Sequence, residues 1–328
     1  MKIVLPDAKT IMANDLDISE LNKYGDVDVY DISNYDELKD KFRDADIILG
    51  NKSIMNEETL SEAKNLKYIG ITATGYNNVD LEYTRKRGIV VSNAAGYSTN
   101  AVAQQTFAYI LNHYNKVETY NNFVKEDGWK KSDVFAPIVF PMYEVANKTI
   151  GIIGFGSIGK KVAKIAASFD MNIIVYSRNM EKVENTIKDE FSDYVEKIKY
   201  VDFETLISKS DIVTIHCPLN KESDGMMNEE VFRKFKRDSF FINTARGNIV
   251  DENALAKALN EGWIGGAAVD VLREEPMSEY SVLNEAKNIV ITPHVAWAPY
   301  ETRKRLFDIV VDNMVAFLNG EPKSVVNG

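Results

Sequence analysis

The chain has 328 residues, 45% of them hydrophobic and 27% charged, which is enough apolar material for two buried cores and excludes a disordered polymer. A formal net charge of −10 argues against nucleic acid or an anionic membrane as partner, since both demand a basic face. A single cysteine rules out an internal disulfide; together with an apolar run in MKIVLPDAKT too short for a signal peptide and no run near the roughly 18 residues of a membrane span, it points to the cytoplasm.

Short apolar runs alternate with amphipathic stretches along the chain, the pattern of βα units around parallel sheets. A first set of predicted strands comprises KIVL from Lys2, VDVY from Val27, DIILG from Asp46, KYIGIT from Lys67 and IVVSN from Ile89. Between the second and third lies the helical pattern NYDELKDKFRD, with Asn34 placed to cap and Glu37 three residues on. Residues 99–125 read as one long helix, and 128–148 as an irregular insertion containing Trp129, Pro137 and Pro141. The second set runs TIGIIG from Thr149, MNIIVYS from Met171, IKYVD from Ile198, DIVTIHC from Asp211, SFFINT from Ser239, GGAAVDV from Gly265 and NIVITP from Asn288. A last helical period, with Leu306, Ile309, Val310, Met314 and Phe317 on one face, ends at Gly320. Only the second set carries a glycine fingerprint, so the two sets are different domains and not a repeat.

That fingerprint is GFGSIG at 154–159. Gly154, Gly156 and Gly159 follow an apolar strand and open a helix, the context in which such glycines admit a pyrophosphate to the N–H groups of Ser157 and Ile158. About 20 residues further on, where an acidic residue ordinarily binds the adenosine ribose, the chain reads VYSRN. Ser177 replaces the carboxylate and Arg178 follows, so a 2′-phosphate meets no like charge: NADP is favoured and NAD allowed.

Three further residues name a chemistry. Arg246 in NTARGNIVDE can grip a carboxylate with two parallel hydrogen bonds and polarise an adjacent carbonyl. His294 in ITPHVAWA follows a strand and is the candidate proton donor; His113 reads as a helix-surface or interface residue and His216 as packed near the cofactor. Glu275 in REEPM is the carboxylate expected to favour and orient the imidazolium, with Glu274 the alternative register.

These segments, with TATGYNNVD, NAAGYSTNAVAQ and HCPLN, resemble the D-isomer-specific 2-hydroxyacid dehydrogenase family over nearly the whole chain, most of all its glycerate dehydrogenase (hydroxypyruvate reductase) branch. The resemblance implies an α/β fold of two domains: a flavodoxin-like substrate domain, 1–98 completed by 299–328, and a Rossmann-type doubly wound domain, 99–298, whose helix and arm at 99–148 build a homodimer. It implies that Cys217, Pro218, Thr244, Ala245 and Asp270 lie on the cofactor side, Asp270 against the nicotinamide carboxamide. It also implies that Thr74 and Gly75 offer N–H donors to the substrate carboxylate. Lys52 either approaches the substrate's distal group or is a solvated loop lysine, Trp297 either lines the pocket or anchors the last helix, and Cys217 reads as a small buried apolar residue. The implied reaction is NAD(P)H-dependent reduction of a small 2-oxo acid to the D-2-hydroxy acid, foremost hydroxypyruvate to D-glycerate. Glyoxylate reductase, phosphoglycerate dehydrogenase and other D-2-hydroxyacid dehydrogenases remain alternatives, as does a dinucleotide-sensing corepressor that binds without turnover.

Overall fold

The computed structural model describes residues 1–194 and 196–328. They form two compact units, Met1–Ser98 with Trp297–Gly328, and Thr99–Ala296.

In the first unit five parallel strands, β1 (Lys2–Leu5), β2 (Asp26–Val29), β3 (Ile47–Gly50), β4 (Tyr68–Ile71) and β5 (Val90–Asn93), lie in the order β2-β1-β3-β4-β5. This is the flavodoxin-like order. β3 and β4 are buried throughout, which is why they read as continuous apolar runs without alternation. Ile3, Leu5, Ile47 and Leu49 face Leu306, Val310 and Met314 of the helix Tyr300–Leu318. Val4, Ile48 and Ile69, pointing the other way, pack with Leu38, Phe42 and Leu60. Arg303 fastens the returning helix: it is 7% exposed, meets the Asp15 carboxylate through two contacts of 2.6 Å, and donates to the carbonyls of Ile11, Met12 and Ala298. Trp297 sits edge-on to Tyr97 in the same core, which favours its anchoring reading.

The second unit holds seven parallel strands, β6 (Thr149–Ile153), β7 (Asn172–Tyr176), β8 (Ile198–Tyr200), β9 (Ile212–Ile215), β10 (Phe240–Asn243), β11 (Gly266–Val269) and β12 (Ile289–Ile291). Their order is β12-β11-β10-β9-β6-β7-β8. The chain winds outward from β6 in one direction and then from β9 in the other. The topological switch point is therefore the crevice at the carboxyl ends of β6 and β9, where open α/β sheets bind ligands.

The long helix expected over 99–125 is two helices, Thr99–Asn115 and Val117–Lys125, because Lys116 adopts a left-handed φ of 53° and interrupts the ladder. No glycine or proline marks that break. His113 departs from expectation too. Its ring stacks on Phe240 with centroids 4.1 Å apart, and desolvation pushes its pKa down to about 4, so it is a neutral packing residue. Residues 128–148 contain neither helix nor strand and expose Phe135, Ile138 and Tyr143.

Candidate active site

The glycine loop follows β6 directly. Gly154 has φ of 95°, a conformation side chains resist, and a Cβ there would lie 2.6 Å from the Cys217 amide nitrogen at the end of β9. Strand ends on both sides of the switch point can approach only because that position is glycine. Gly156 caps the helix Ser157–Ser168, and a Cβ built on it would meet open space, while one on Gly159 would collide with the Gly154 carbonyl. The N–H groups of Ser157 and Ile158 open that helix, as a pyrophosphate site requires. The Thr244 hydroxyl, after β10, is buried without a hydrogen-bond partner among the described residues. An open backbone cradle and an orphaned hydroxyl together fit a dinucleotide.

At the far end of the cradle, Phe155, Gly156, Ser177, Asn179, Lys182 and Thr186 line a cavity of about 210 Å³. Arg178 does not line it. Its guanidinium contacts the Glu222 carboxylate at 3.0 Å, and both side chains are largely exposed. Lys182, at the start of the helix Met180–Glu190, is the cation on this cavity, and nothing in VYSRN announced it. Pro218 is exposed and its carbonyl accepts from Ser223 at 2.8 Å. Burial pushes the Cys217 thiol above its ordinary range, which keeps it protonated and suits the packing role. Desolvation lowers His216 to about 3; its Nε2 lies 3.0 Å from the Thr214 hydroxyl, and it stays neutral beside Cys217.

The other cluster forms where β10, β11 and β12 end. Arg246 is exposed, and its loop is braced by the wholly buried Asn243: the Asn243 amide donates to the Arg246 carbonyl at 2.9 Å and its oxygen accepts from the Ala245 N–H at 3.0 Å. The next residue, Gly247, packs so tightly that a Cβ would lie 1.9 Å from the Leu272 carbonyl carbon. Any side chain at 247 would push the Arg246 loop away from the Leu272 segment. The Leu272 N–H in turn donates to Glu275 Oε1 at 3.0 Å, and Glu275 Oε2 lies 2.8 Å from His294 Nδ1. One side of the carboxylate is thus held by backbone and the other holds the imidazole, leaving Nε2 to exchange a proton. Glu275, not Glu274, makes this contact, which resolves the register.

His294 itself has a left-handed φ of 55°. Its N–H donates to the Asp270 carbonyl at 2.7 Å, and the next two amides, Val295 and Ala296, donate to Asp270 Oδ1 and Oδ2 at 2.9 and 2.8 Å. Asp270, expected from the resemblance to meet the nicotinamide carboxamide, anchors the His294 loop in the structure.

Thr74, Gly75 and Lys52 belong to the first unit. Thr74 is braced through its hydroxyl to the Ala94 carbonyl at 2.9 Å and through its carbonyl to the Asn93 amide at 2.7 Å. The Lys52 side chain is exposed, but its backbone is fixed by the buried Asp7, whose Oδ2 accepts from the Lys52 and Ser53 N–H groups at 2.6 and 2.7 Å. Among the described residues no group of His, Cys, Asp and Glu could hold a metal, and no helix is long and apolar enough to cross a membrane.

A flavodoxin-like unit, a doubly wound dinucleotide cradle and a buttressed His–Glu pair define a dinucleotide-dependent oxidoreductase. Residues 107–296 match the NAD binding domain of the D-isomer specific 2-hydroxyacid dehydrogenases, and the chain belongs to that family. It is 37% identical to a hydroxypyruvate reductase of Blautia hydrogenotrophica, over 100% of both chains. A glyoxylate reductase of Thermococcus litoralis is 42% identical over 83% of this chain and 80% of its own. Among solved structures, an acyclic imino acid reductase in complex with NADPH and D-Arg superposes with a TM-score of 0.82 at 30% identity, covering 99% of this chain and 100% of its own. The protein is an NAD(P)-dependent D-2-hydroxyacid dehydrogenase, and either nucleotide is compatible with its fold.

Proposed function

We propose that the enzyme reduces hydroxypyruvate to D-glycerate. The observation that carries the reduction is the 2.8 Å contact of His294 Nδ1 with a Glu275 carboxylate whose other oxygen is held by the Leu272 N–H, and the choice of acid is supported by the 37% identity to a hydroxypyruvate reductase over the whole of both chains. Such an imidazole is oriented to give a proton through Nε2. Arg246 binds the substrate carboxylate with its guanidinium fork and draws electron density from the adjacent carbonyl. Thr74 and Gly75 are proposed as N–H donors to a substrate carboxylate, and Lys52 either as a contact of the distal hydroxyl or as a solvated loop lysine. When bound in the cradle of Gly154, Gly156, Ser157, Ile158 and Gly159, the dinucleotide supplies a hydride. His294 gives its proton to the carbonyl oxygen, and Glu275 balances the imidazolium before the transfer.

Lys182 puts a cation on the cavity beside Ser177 and no carboxylate among the described residues lines it, which supports NADPH as the preferred donor, while Arg178, proposed as a further phosphate contact, must leave Glu222 to serve. Cys217, Pro218, Thr244, Ala245 and Asp270 complete the cofactor side. We further propose a homodimer formed by the helices at 99–125 and the apolar arm at 128–148, acting in the cytoplasm. The exposed Phe135, Ile138 and Tyr143 support a covered face, since a lone chain would present them to water. Sedimentation of wild type and of Ile138→Asp tests this: a dimer that dissociates in the variant is expected, and a monomeric wild type rejects it.

Steady-state kcat/KM for hydroxypyruvate, glyoxylate, pyruvate and phosphohydroxypyruvate with each cofactor tests the central reading. Hydroxypyruvate should lead. Glyoxylate in first place would assign the activity carried by the Thermococcus relative, and dinucleotide binding without turnover of any acid would make the protein a sensor.

A further inference from the structure

The Asp270 carboxylate is 2% exposed and lies at the centre of a hydrogen-bond chain that reaches well beyond the loop it anchors. Besides the Val295 and Ala296 amides, its Oδ1 accepts from the Thr292 hydroxyl at 2.5 Å. The Thr292 oxygen also meets the hydroxyl of Tyr109, a residue 4% exposed in the helix Thr99–Asn115. Gln105, one turn earlier on that helix, reaches the same phenol, and so does the Asp270 carboxylate itself.

Proton positions follow from chemistry. An ionised carboxylate can only accept, so the Thr292 proton points at Asp270. Thr292 then has only lone pairs to offer Tyr109, whose hydroxyl must donate. Burial holds the phenol above its ordinary pKa, so the proton needed for that donation is present. The chain runs one way, Tyr109 to Thr292 to Asp270, and each bond polarises the next.

Its end point is His294. The left-handed backbone at 294 is a conformation a histidine leaves unless its surroundings over-determine it. Three consecutive amides, 294 to 296, are pinned to Asp270, two of them to its carboxylate. If the carboxylate turns, those two amides lose alignment together and the imidazole moves relative to its substrate.

We propose that Tyr109 and Thr292 are positioning residues for the reaction: their directed hydroxyl chain locks the Asp270 carboxylate, and through it the backbone that presents His294. Neither touches substrate, and the inference rests on His294 as proton donor.

Four full-length proteins test it: wild type, Tyr109→Phe, Thr292→Val and Thr292→Ser. Each is measured for kcat and KM in hydroxypyruvate reduction, for NADPH Kd by nucleotide fluorescence, and for Tm. Tyr109→Phe and Thr292→Val should lose roughly tenfold or more in kcat with NADPH Kd within about twofold, since misplacement of a proton donor acts on the chemical step. Thr292→Ser retains the hydroxyl and should stay within about threefold of wild type. A Thr292→Ser as slow as Thr292→Val would show that packing of the methyl matters and the chain does not. Wild-type kcat in Tyr109→Phe, or a loss found wholly in NADPH Kd, would also overturn the proposal. Tyr109→Phe keeps the ring and its packing, so it reads the hydroxyl alone even if Thr292→Val fails to fold. A wild type inactive on every 2-oxo acid rejects the functional reading and this proposal with it; an active wild type with unaffected variants rejects this proposal alone.

Discussion

The two ends of the proposed cofactor site are built on opposite physical plans. Around His294, Glu275 and Asp270 the side chains are held by backbone N–H groups, by the Thr292 hydroxyl or by one another, with Gly247 allowing one loop to pack against the next. Around Ser177 the charges stand in water: Arg178 and Glu222 form a largely exposed pair, and Lys182 rims a shallow cavity. Position does the work at the first end, so small geometric changes should cost much. Charge does it at the second, where solvent and salt screen each contribution and single changes should act weakly.

The sharpest way to break the contrast is Arg246→Lys. A point charge replaces a planar fork, and kcat/KM for hydroxypyruvate should fall on the order of 100-fold, about 2.7 kcal/mol of transition-state stabilisation, with the fold intact by circular dichroism. Retention of more than about a third of wild-type kcat/KM would mean that Arg246 does not anchor the carboxylate.

Glu275→Gln should come next, with a loss of roughly tenfold in kcat, because an amide replaces the carboxylate that lies 2.8 Å from His294 Nδ1 and orients the ring. A kcat within about twofold of wild type, measured where chemistry limits turnover, would assign the orientation of His294 elsewhere.

At the ribose end, Ser177→Asp should turn cofactor preference toward NADH by about tenfold, or 1.4 kcal/mol, because the new carboxylate attracts ribose hydroxyls and repels a 2′-phosphate. A wild type that already prefers NADH by more than that margin would remove Ser177, Arg178 and Lys182 from the role of phosphate site. The smallest effect belongs to Glu222→Gln. Freed from its partner, Arg178 becomes available to a phosphate, and the NADPH to NADH ratio of kcat/KM should rise about threefold at low salt and less at high salt. A fall in that ratio would mean that Glu222 holds Arg178 in its useful position.

The central strands β3, β4, β9, β10 and β11 were legible as apolar runs because burial on both faces leaves little choice of residue type, β2 was legible by its alternating DVDV, and the glycine loop was legible because a turn from strand to helix is local in sequence. The break at Lys116 was not, since the residue carries no turn signature and its conformation comes from the surroundings. The same division runs through the candidate site. Arginine, glutamate and histidine each stand in a recognisable segment, but that Glu275 rather than Glu274 meets His294 is a matter of side-chain direction across two loops.

What the amino-acid sequence determined by itself was the class of each local piece: parallel strands, a dinucleotide turn, and residue types suited to gripping an acid and moving a proton. Those depend on periodicity, backbone freedom and intrinsic side-chain chemistry, all properties of a short stretch of chain. Tertiary structure alone decided that Asp270 anchors the His294 loop, that Tyr109 meets Thr292, and that Glu222 occupies Arg178 while Lys182 rims the cavity. A contact between residues far apart in the chain has a partner only after folding has brought the two segments together, so no motif can carry it.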